Sequence, residues 1–240
     1  MSGARPIAVF RYSDTEGPGH FATFLEAQRL PWKLVKLDRG DPVPASSEDF
    51  AGLAFMGGPM SANDELAWTQ PVLSLMRDAL ERGVPMIGHC LGGQMMSRAA
   101  GGQVSVNPVK EIGWNRVTVE DTPLARRWFG EDLIEFVTFQ WHGETFTIPP
   151  GAERILTAEH CPNQAYVLDG RHLGLQCHVE MTPEMIASWI GSGAGEVREN
   201  LSSPAVQPVE KIVGEMPTRL PVLSDAADRL YRRWRENLRT

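Results

Sequence analysis

The stretch VPMIGHCLGGQ, residues 84–94, sets a cysteine between glycines at the point where a short apolar run gives way to small residues. A cysteine inside a strand is normally a small buried hydrophobe. Cys90 stands instead where a strand, VPMIGH (84–89), stops and a short helix, LGGQMMSRAAGG (91–102), begins. The spacing Gly88-x-Cys90-x-Gly92 is that of a nucleophile elbow, a sharp strand-to-helix turn that projects one side chain from the edge of a sheet. Flanking glycines permit the strained turn and the close approach of neighbouring backbone. The helix N-terminus lowers a thiol pKa and offers N–H groups to an oxyanion, the Leu91 N–H first. Taken alone, the stretch also fits a buried structural cysteine on a glycine-rich turn.

Upstream of the elbow the pattern alternates between strand and helix. PIAVFRYS (6–13), WKLVKLD (32–38) and LAFMGG (53–58) read as strands. Phe21, Phe24, Leu25 and Leu30 fall on one helical face, and residues 65–83 read as a helix interrupted by Pro71 and capped by Gly83. This order predicts a largely parallel, helix-covered sheet. Residues 103–180 read as successive strands joined by turns, an antiparallel extension of the same sheet rather than a second domain. TPEMIASWI (182–190) starts a helix capped by Thr182, with Pro183 and Glu184 in its first turn. Residues 191–222 are rich in Gly, Ser and Pro and resist assignment, and residues 224–239 read as a terminal helix. The expectation is one domain over 1–240 with a helical extension at about 191–240.

Twenty-three basic against 30 acidic side chains leave a formal net charge of −7, which excludes the usual nucleic-acid and anionic-membrane binders. No apolar run reaches the ~20 residues of a membrane span. Three widely spaced cysteines make no disulfide framework, and residues 1–14 lack the layout of a signal peptide, so a reducing cytoplasm is expected. Cys161 and Cys177 with His160 and His178 match no zinc spacing, so no metal is expected. The MSANDELAW segment (60–68) reads either as a loop over the site or as a helix cap. His89, beside the nucleophile, reads as a packing residue or a modulator of access.

A cysteine nucleophile needs a base, and the base needs an orienting acid. GLQCHVEMT (174–182) supplies His178 and Glu180, two apart, which on a strand point to one face. Gly57-Gly58-Pro59, the elbow and His178-Val179-Glu180, in this order, resemble the class I glutamine amidotransferase family. Residues 140–180 resemble its stand-alone branch related to the amidotransferase domain of GMP synthetase. Val179 replaces the usual proline of that family, and Glu144 stands where the branch commonly has aspartate.

The resemblance implies a three-layer αβα flavodoxin-like sandwich, with a mostly parallel central sheet and an antiparallel extension. It further implies Cys90, His178 and Glu180 as the catalytic triad, and backbone N–H groups of Gly58 and Leu91 as the oxyanion hole. Gly57, Gln94, Trp141, His142 and Gly143 would hold the substrate, with no metal or organic cofactor. The implied reaction is hydrolysis of the glutamine side-chain amide through a γ-glutamyl thioester. With no P-loop motif in the sequence, the ammonia would serve a separate synthetase subunit or the chain would act alone. Three alternatives remain at this level: an α/β-hydrolase with a cysteine elbow, a γ-glutamyl peptidase using the same thioester, and a non-catalytic regulatory or binding subunit. Retention of all three triad residues argues against the last.

Overall fold

The computed structural model describes residues 4–239. Its first half repeats strand and helix: β1 (Ile7–Arg11), α1 (Gly19–Ala27), β2 (Trp32–Lys36), β3 (Gly52–Phe55), α2 (Thr69–Arg82), β4 (Met86–His89) and α3 (Leu91–Ala99). The inner strands are apolar on both faces, as a sheet covered on two sides requires. Along β1, Ile7 and Val9 enter one core cluster while Ala8 and Phe10 enter the other. β3 divides likewise, with Ala54 in the first cluster and Leu53 and Phe55 in the second. Phe10 and Phe55 stack at 4.8 Å on the second face. Period-two alternation thus feeds two helical layers from one sheet.

The second half adds β5 (Val104–Val119), α4 (Pro123–Phe129), β6 (Glu135–Phe146), β7 (Ala152–Thr157), β8 (Ala165–Leu168), β9 (His172–Leu175), α5 (Pro183–Glu199), β10 (Ala205–Val206) and α6 (Val209–Arg235). All ten strands join one sheet in the order β10-β5-β7-β8-β9-β4-β3-β1-β2, with β6 paired to β5. β2, β1, β3, β4 and β9 run parallel, and β9 joins them to the antiparallel strands β8, β7, β5 and β6. The expected parallel sheet with an antiparallel extension is therefore present. α2 and α3 supply one covering layer, and residues of α1, α4, α5 and α6 pack in the other cluster.

Several elements differ from the expectation. Leu30 falls outside α1, which ends before the left-handed Arg29 (φ 53°). α2 begins at Thr69, so Pro71 lies in its first turn, where an N–H has no intrahelical acceptor to lose. Gly83 caps that helix as read, at φ 65°. β9 stops at Leu175, so His178 and Glu180 are not on a regular strand; His178 makes only an isolated bridge to Phe139. Residues 123–129, which fall in a turn of the strand-and-turn reading, instead form α4, capped by the Thr122 hydroxyl accepting from the Ala125 N–H.

The largest difference lies in residues 191–222, most of which are helical. α5 runs through Gly191, Gly193 and Gly195. A Cβ on Gly193 would stand 2.4 Å from Cζ2 of Trp141, so close packing rather than chain breaking explains that glycine. α6 runs through Pro217 and Pro221, both exposed, where water can satisfy the carbonyls that each proline leaves free.

Candidate active site

The elbow forms because three glycines let α3 press on the sheet. A Cβ on Gly92 would lie 2.2 Å from the Phe55 carbonyl oxygen, and one on Gly93 would lie 2.4 Å from that of Leu175. Cys90 takes φ 48° and ψ −107°, a strained conformation for a residue with a side chain. Its N–H donates to the Leu175 carbonyl at 2.8 Å, which fixes the turn on β9. Leu91, the first residue of α3, leaves its N–H without an intrahelical acceptor.

The chain leaving β9 brings His178 to this thiol. The His178 N–H donates to the Phe139 carbonyl at 2.9 Å, and its Nδ1 lies 2.7 Å from Oε1 of Glu180. Trp189 of α5 packs edge-on against the imidazole at 4.7 Å. Burial alone would lower the His178 pKa. The Glu180 charge, the Cys90 sulfur and hydrogen bonds to both raise it well above the usual value. Burial pushes Glu180 up, but the charges of His178 and His89 and the hydrogen bond from His178 bring it below the usual carboxylate value. The reciprocal directions describe a buried imidazolium–carboxylate pair.

His89 takes a definite position. Its Nε2 lies 3.2 Å from the Tyr231 hydroxyl and 4.0 Å from Oε2 of Glu180, so it faces the carboxylate rather than the mouth of the site. Burial lowers its pKa.

Cys90 and His178 open on a cavity of about 600 Å³, also lined by Gly58, Gln94, Trp141, His142 and Gly143. Gly57 lies against His178 at its edge, where a Cβ would come 3.1 Å from Cε1 of the ring. Glu180 is buried behind the imidazole. Gln94 donates from Nε2 to Oε1 of Gln176 at 3.1 Å and to the Glu144 carbonyl at 3.3 Å. Gln176 in turn donates to the Cys90 sulfur at 3.6 Å. No sequence motif marked Gln176, Trp189 or Glu16, which also reaches the cavity. The segment 60–68 is pinned at one end, with the Ser61 hydroxyl donating to both Glu144 oxygens at 2.9 Å.

A second Cys-His-Glu group lies deeper. Ligand atoms of Glu111, His142 and Cys161 fall within 4.8 Å of one another, all buried. Glu111 Oε2 is already engaged, 2.9 Å from His142 Nε2 and accepting from Gln164 at 2.9 Å. The Cys161 thiol, pushed up to about 11 by burial, stays protonated. These residues brace the β5–β6 pair rather than present a nucleophile. The cysteine–histidine set weighed from sequence, which included Cys177 and His160, is not this cluster. Cys177 is buried and its thiol is pushed up to about 12.

The profile of the family Glutamine amidotransferase class-I matches residues 23–188, most of the chain. The chain belongs to this family. Among curated relatives, the glutamine amidotransferase-like protein YfeJ of Salmonella typhimurium is 24% identical over 77% of this chain and 79% of its own length. The glutamine-hydrolyzing GMP synthase of Lacticaseibacillus casei is 32% identical over 54% of this chain, but that match spans only 24% of the synthase. A crystal structure of a glutamine amido transferase from Methylobacillus flagellatus superposes with a TM-score of 0.95 at 44% identity, over 98% of this chain and 96% of the other. A glutamine amidotransferase structure from Thermotoga maritima gives 0.85 at 25% identity, over 96% and 98%. Among the described residues no helix of this class I amidotransferase is long and apolar enough to cross a membrane.

Proposed function

We propose that this chain is a cysteine hydrolase that cleaves the side-chain amide of glutamine, with Cys90 as nucleophile, His178 as acid and base, and Glu180 as the group that orients it. The observation that carries this reading is the buried Cys90–His178–Glu180 grouping, with Cys90 and His178 lining an open cavity and the Glu180 charge and the Cys90 sulfur raising the imidazole's pKa against burial. In this mechanism the Cys90 proton resides on His178, and the thiolate is the nucleophilic species.

The thiolate attacks the amide carbon, a C–S bond forms, and the carbonyl oxygen takes the negative charge. N–H groups of Gly58 and Leu91 receive that oxyanion. His178 passes its proton to the amide nitrogen, the C–N bond breaks, and ammonia leaves. The neutral imidazole then takes a proton from water, the hydroxide attacks the thioester, and collapse releases glutamate and restores the thiolate–imidazolium pair. Gln94, Trp141, His142, Gly143 and Gly57 surround the remainder of the substrate. Gln176 steadies the sulfur. The ammonia passes to water or to a separate synthetase subunit, and no step calls on a metal or an organic cofactor.

The test is incubation of the purified chain with glutamine, following ammonia release and the intact mass. Ammonia release together with a γ-glutamyl adduct that disappears in Cys90→Ala is expected. Turnover persisting in Cys90→Ala, or neither ammonia nor adduct in the unaltered chain, refutes the reading.

A further inference from the structure

The reaction above leaves one carboxyl of the cavity without a role. Glu16, on the loop after β1, lines the same cavity as Cys90 and His178. A Cβ on Gly57 would stand 2.3 Å from Oε2 of Glu16 and 3.1 Å from Cε1 of His178. These two distances place the carboxyl oxygen no more than about 5.4 Å from Cε1, the ring atom bonded to the nitrogen that would protonate the leaving group.

The other acids of the cavity are paired. Glu144 accepts from Ser61 at 2.9 Å, and Glu196 pairs with Lys110 and accepts from Nε1 of Trp141 at 2.8 Å. Among the described residues no side chain hydrogen-bonds or ion-pairs with Glu16; the charges that act on it are those of His178 and Glu180. Burial, with no donor to offset it, raises its pKa to about 7. Glu16 is half-buried and its carboxyl faces the open cavity with no protein donor, so a ligand's donor can take the place that water holds there.

The surroundings indicate the chemistry of that ligand. Trp189 donates from Nε1 to the Thr15 carbonyl at 2.9 Å, which holds the residue before Glu16 against the indole. Trp189 and Trp141 meet edge-to-face at 6.0 Å, forming an aromatic wall next to the acid. An aromatic wall ending in an uncompensated carboxyl suits an alkyl chain that ends in an ammonium. The cavity, about 600 Å³, has room for a substrate much larger than glutamine.

Resting on the thioester reading, we propose that Glu16 determines the leaving group, accepting the free ammonium of a γ-glutamyl diamine whose other nitrogen forms the scissile amide. In this substrate the C–N bond breaks as His178 gives its proton to the amide nitrogen. The diamine departs with its second ammonium still on Glu16, and water then cleaves the thioester as for glutamine. Arrival of the ammonium favours the ionised form of the carboxyl.

The test compares kcat/KM on N-(γ-glutamyl)-1,4-diaminobutane, γ-glutamyl butylamide and glutamine. The two amides share their chain length and differ in the second amine. The expected ratio of diamine to butylamide is ~10 or more, the weight of one charge-assisted hydrogen bond. Glu16→Gln should bring the ratio to within about threefold of unity, while Glu16→Asp, which keeps the charge, should retain part of the preference. A ratio near one in the unaltered chain, or one unchanged in Glu16→Gln, overturns the inference. Glutamine turnover with no diamine preference removes this inference alone; no turnover and no Cys90 adduct with any of the three removes the thioester reading as well.

Discussion

At the residue scale, the proposed site depends on proton positions. Glu180 raises the His178 pKa and His178 lowers that of Glu180, each working against burial. Glu180→Gln removes the charge but keeps the shape, so the ring stays placed while its pKa falls. His178→Ala removes the acid and base outright and should lower kcat by ~10⁴-fold or more, with Glu180→Gln costing less. Glu180→Gln should also move the alkaline limb of the pH–rate profile to lower pH, because the active imidazolium is lost as pH rises through its pKa. Equal losses in kcat, or an unmoved limb, would separate Glu180 from the base. Glu16 gives a stability prediction of definite sign. Its folded pKa, about 7, exceeds the reference value of 4.5. The folded state therefore binds more protons between these values, and the stability from this group, present below pH 4.5, is lost as pH rises through about 7. Glu16→Gln should raise stability at pH 8 by on the order of 1–3 kcal/mol and change it little at pH 4. Denaturant melts at the two pH values measure the difference.

At the element scale, helix α5 carries two glycines whose replacements should have opposite effects. Gly191 has open space around its Cβ direction, and Gly193 has Trp141 at 2.4 Å. Gly191→Ala should stabilise the protein by ~0.5–1 kcal/mol through helix propensity. Gly193→Ala should destabilise it by ~1–3 kcal/mol through overpacking and displace the tryptophan that walls the cavity. Equal shifts in chemical denaturation would contradict that packing. The pair also explains why residues 191–222 were illegible in sequence. Glycines demanded by a distant tryptophan look like glycines that end a helix, and the exposed Pro217 and Pro221 look like breaks. The elbow is legible because its glycines flank Cys90 at fixed spacing, with a Cβ on Gly88 standing 2.5 Å from the Gly92 carbonyl carbon, although Gly92 and Gly93 also press on the distant Phe55 and Leu175. The His178–Glu180 pairing was legible too, although its basis was not a strand, since β9 ends at Leu175 and the two side chains meet through an irregular turn. Glu16 is illegible because nothing in its own segment has a period or motif, and Gln176, although it lies in GLQCHVEMT, is illegible because its partner Cys90 stands 86 residues away. Only the folded sheet brings them beside Cys90 and His178.

At the scale of the whole molecule, the C-terminal helix reads from sequence as an extension, yet its packing describes a part of the core. In α6, Leu223, Leu230, Tyr231 and Trp234 are fully buried. Phe21 of α1 meets Tyr231 at 4.9 Å and Trp234 at 5.7 Å. Tyr231 continues inward to His89, which faces Glu180, so the last helix reaches the proposed site through two side chains. We infer that residues 4–239 unfold as one cooperative unit and that the site has no stability independent of α6. Trp234→Ala should cost ~3–5 kcal/mol, the loss typical of a large aromatic removed from a core. A chain ending at Pro208 should fail to give a cooperative melt, because the α1 aromatics and His89 lose their cover together. Calorimetry of the full chain should give a single transition with matching calorimetric and van't Hoff enthalpies. Two separated transitions, or a truncated chain that melts cooperatively and still forms the Cys90 adduct, would make α6 an appendage and remove His89–Tyr231 from the support of the site.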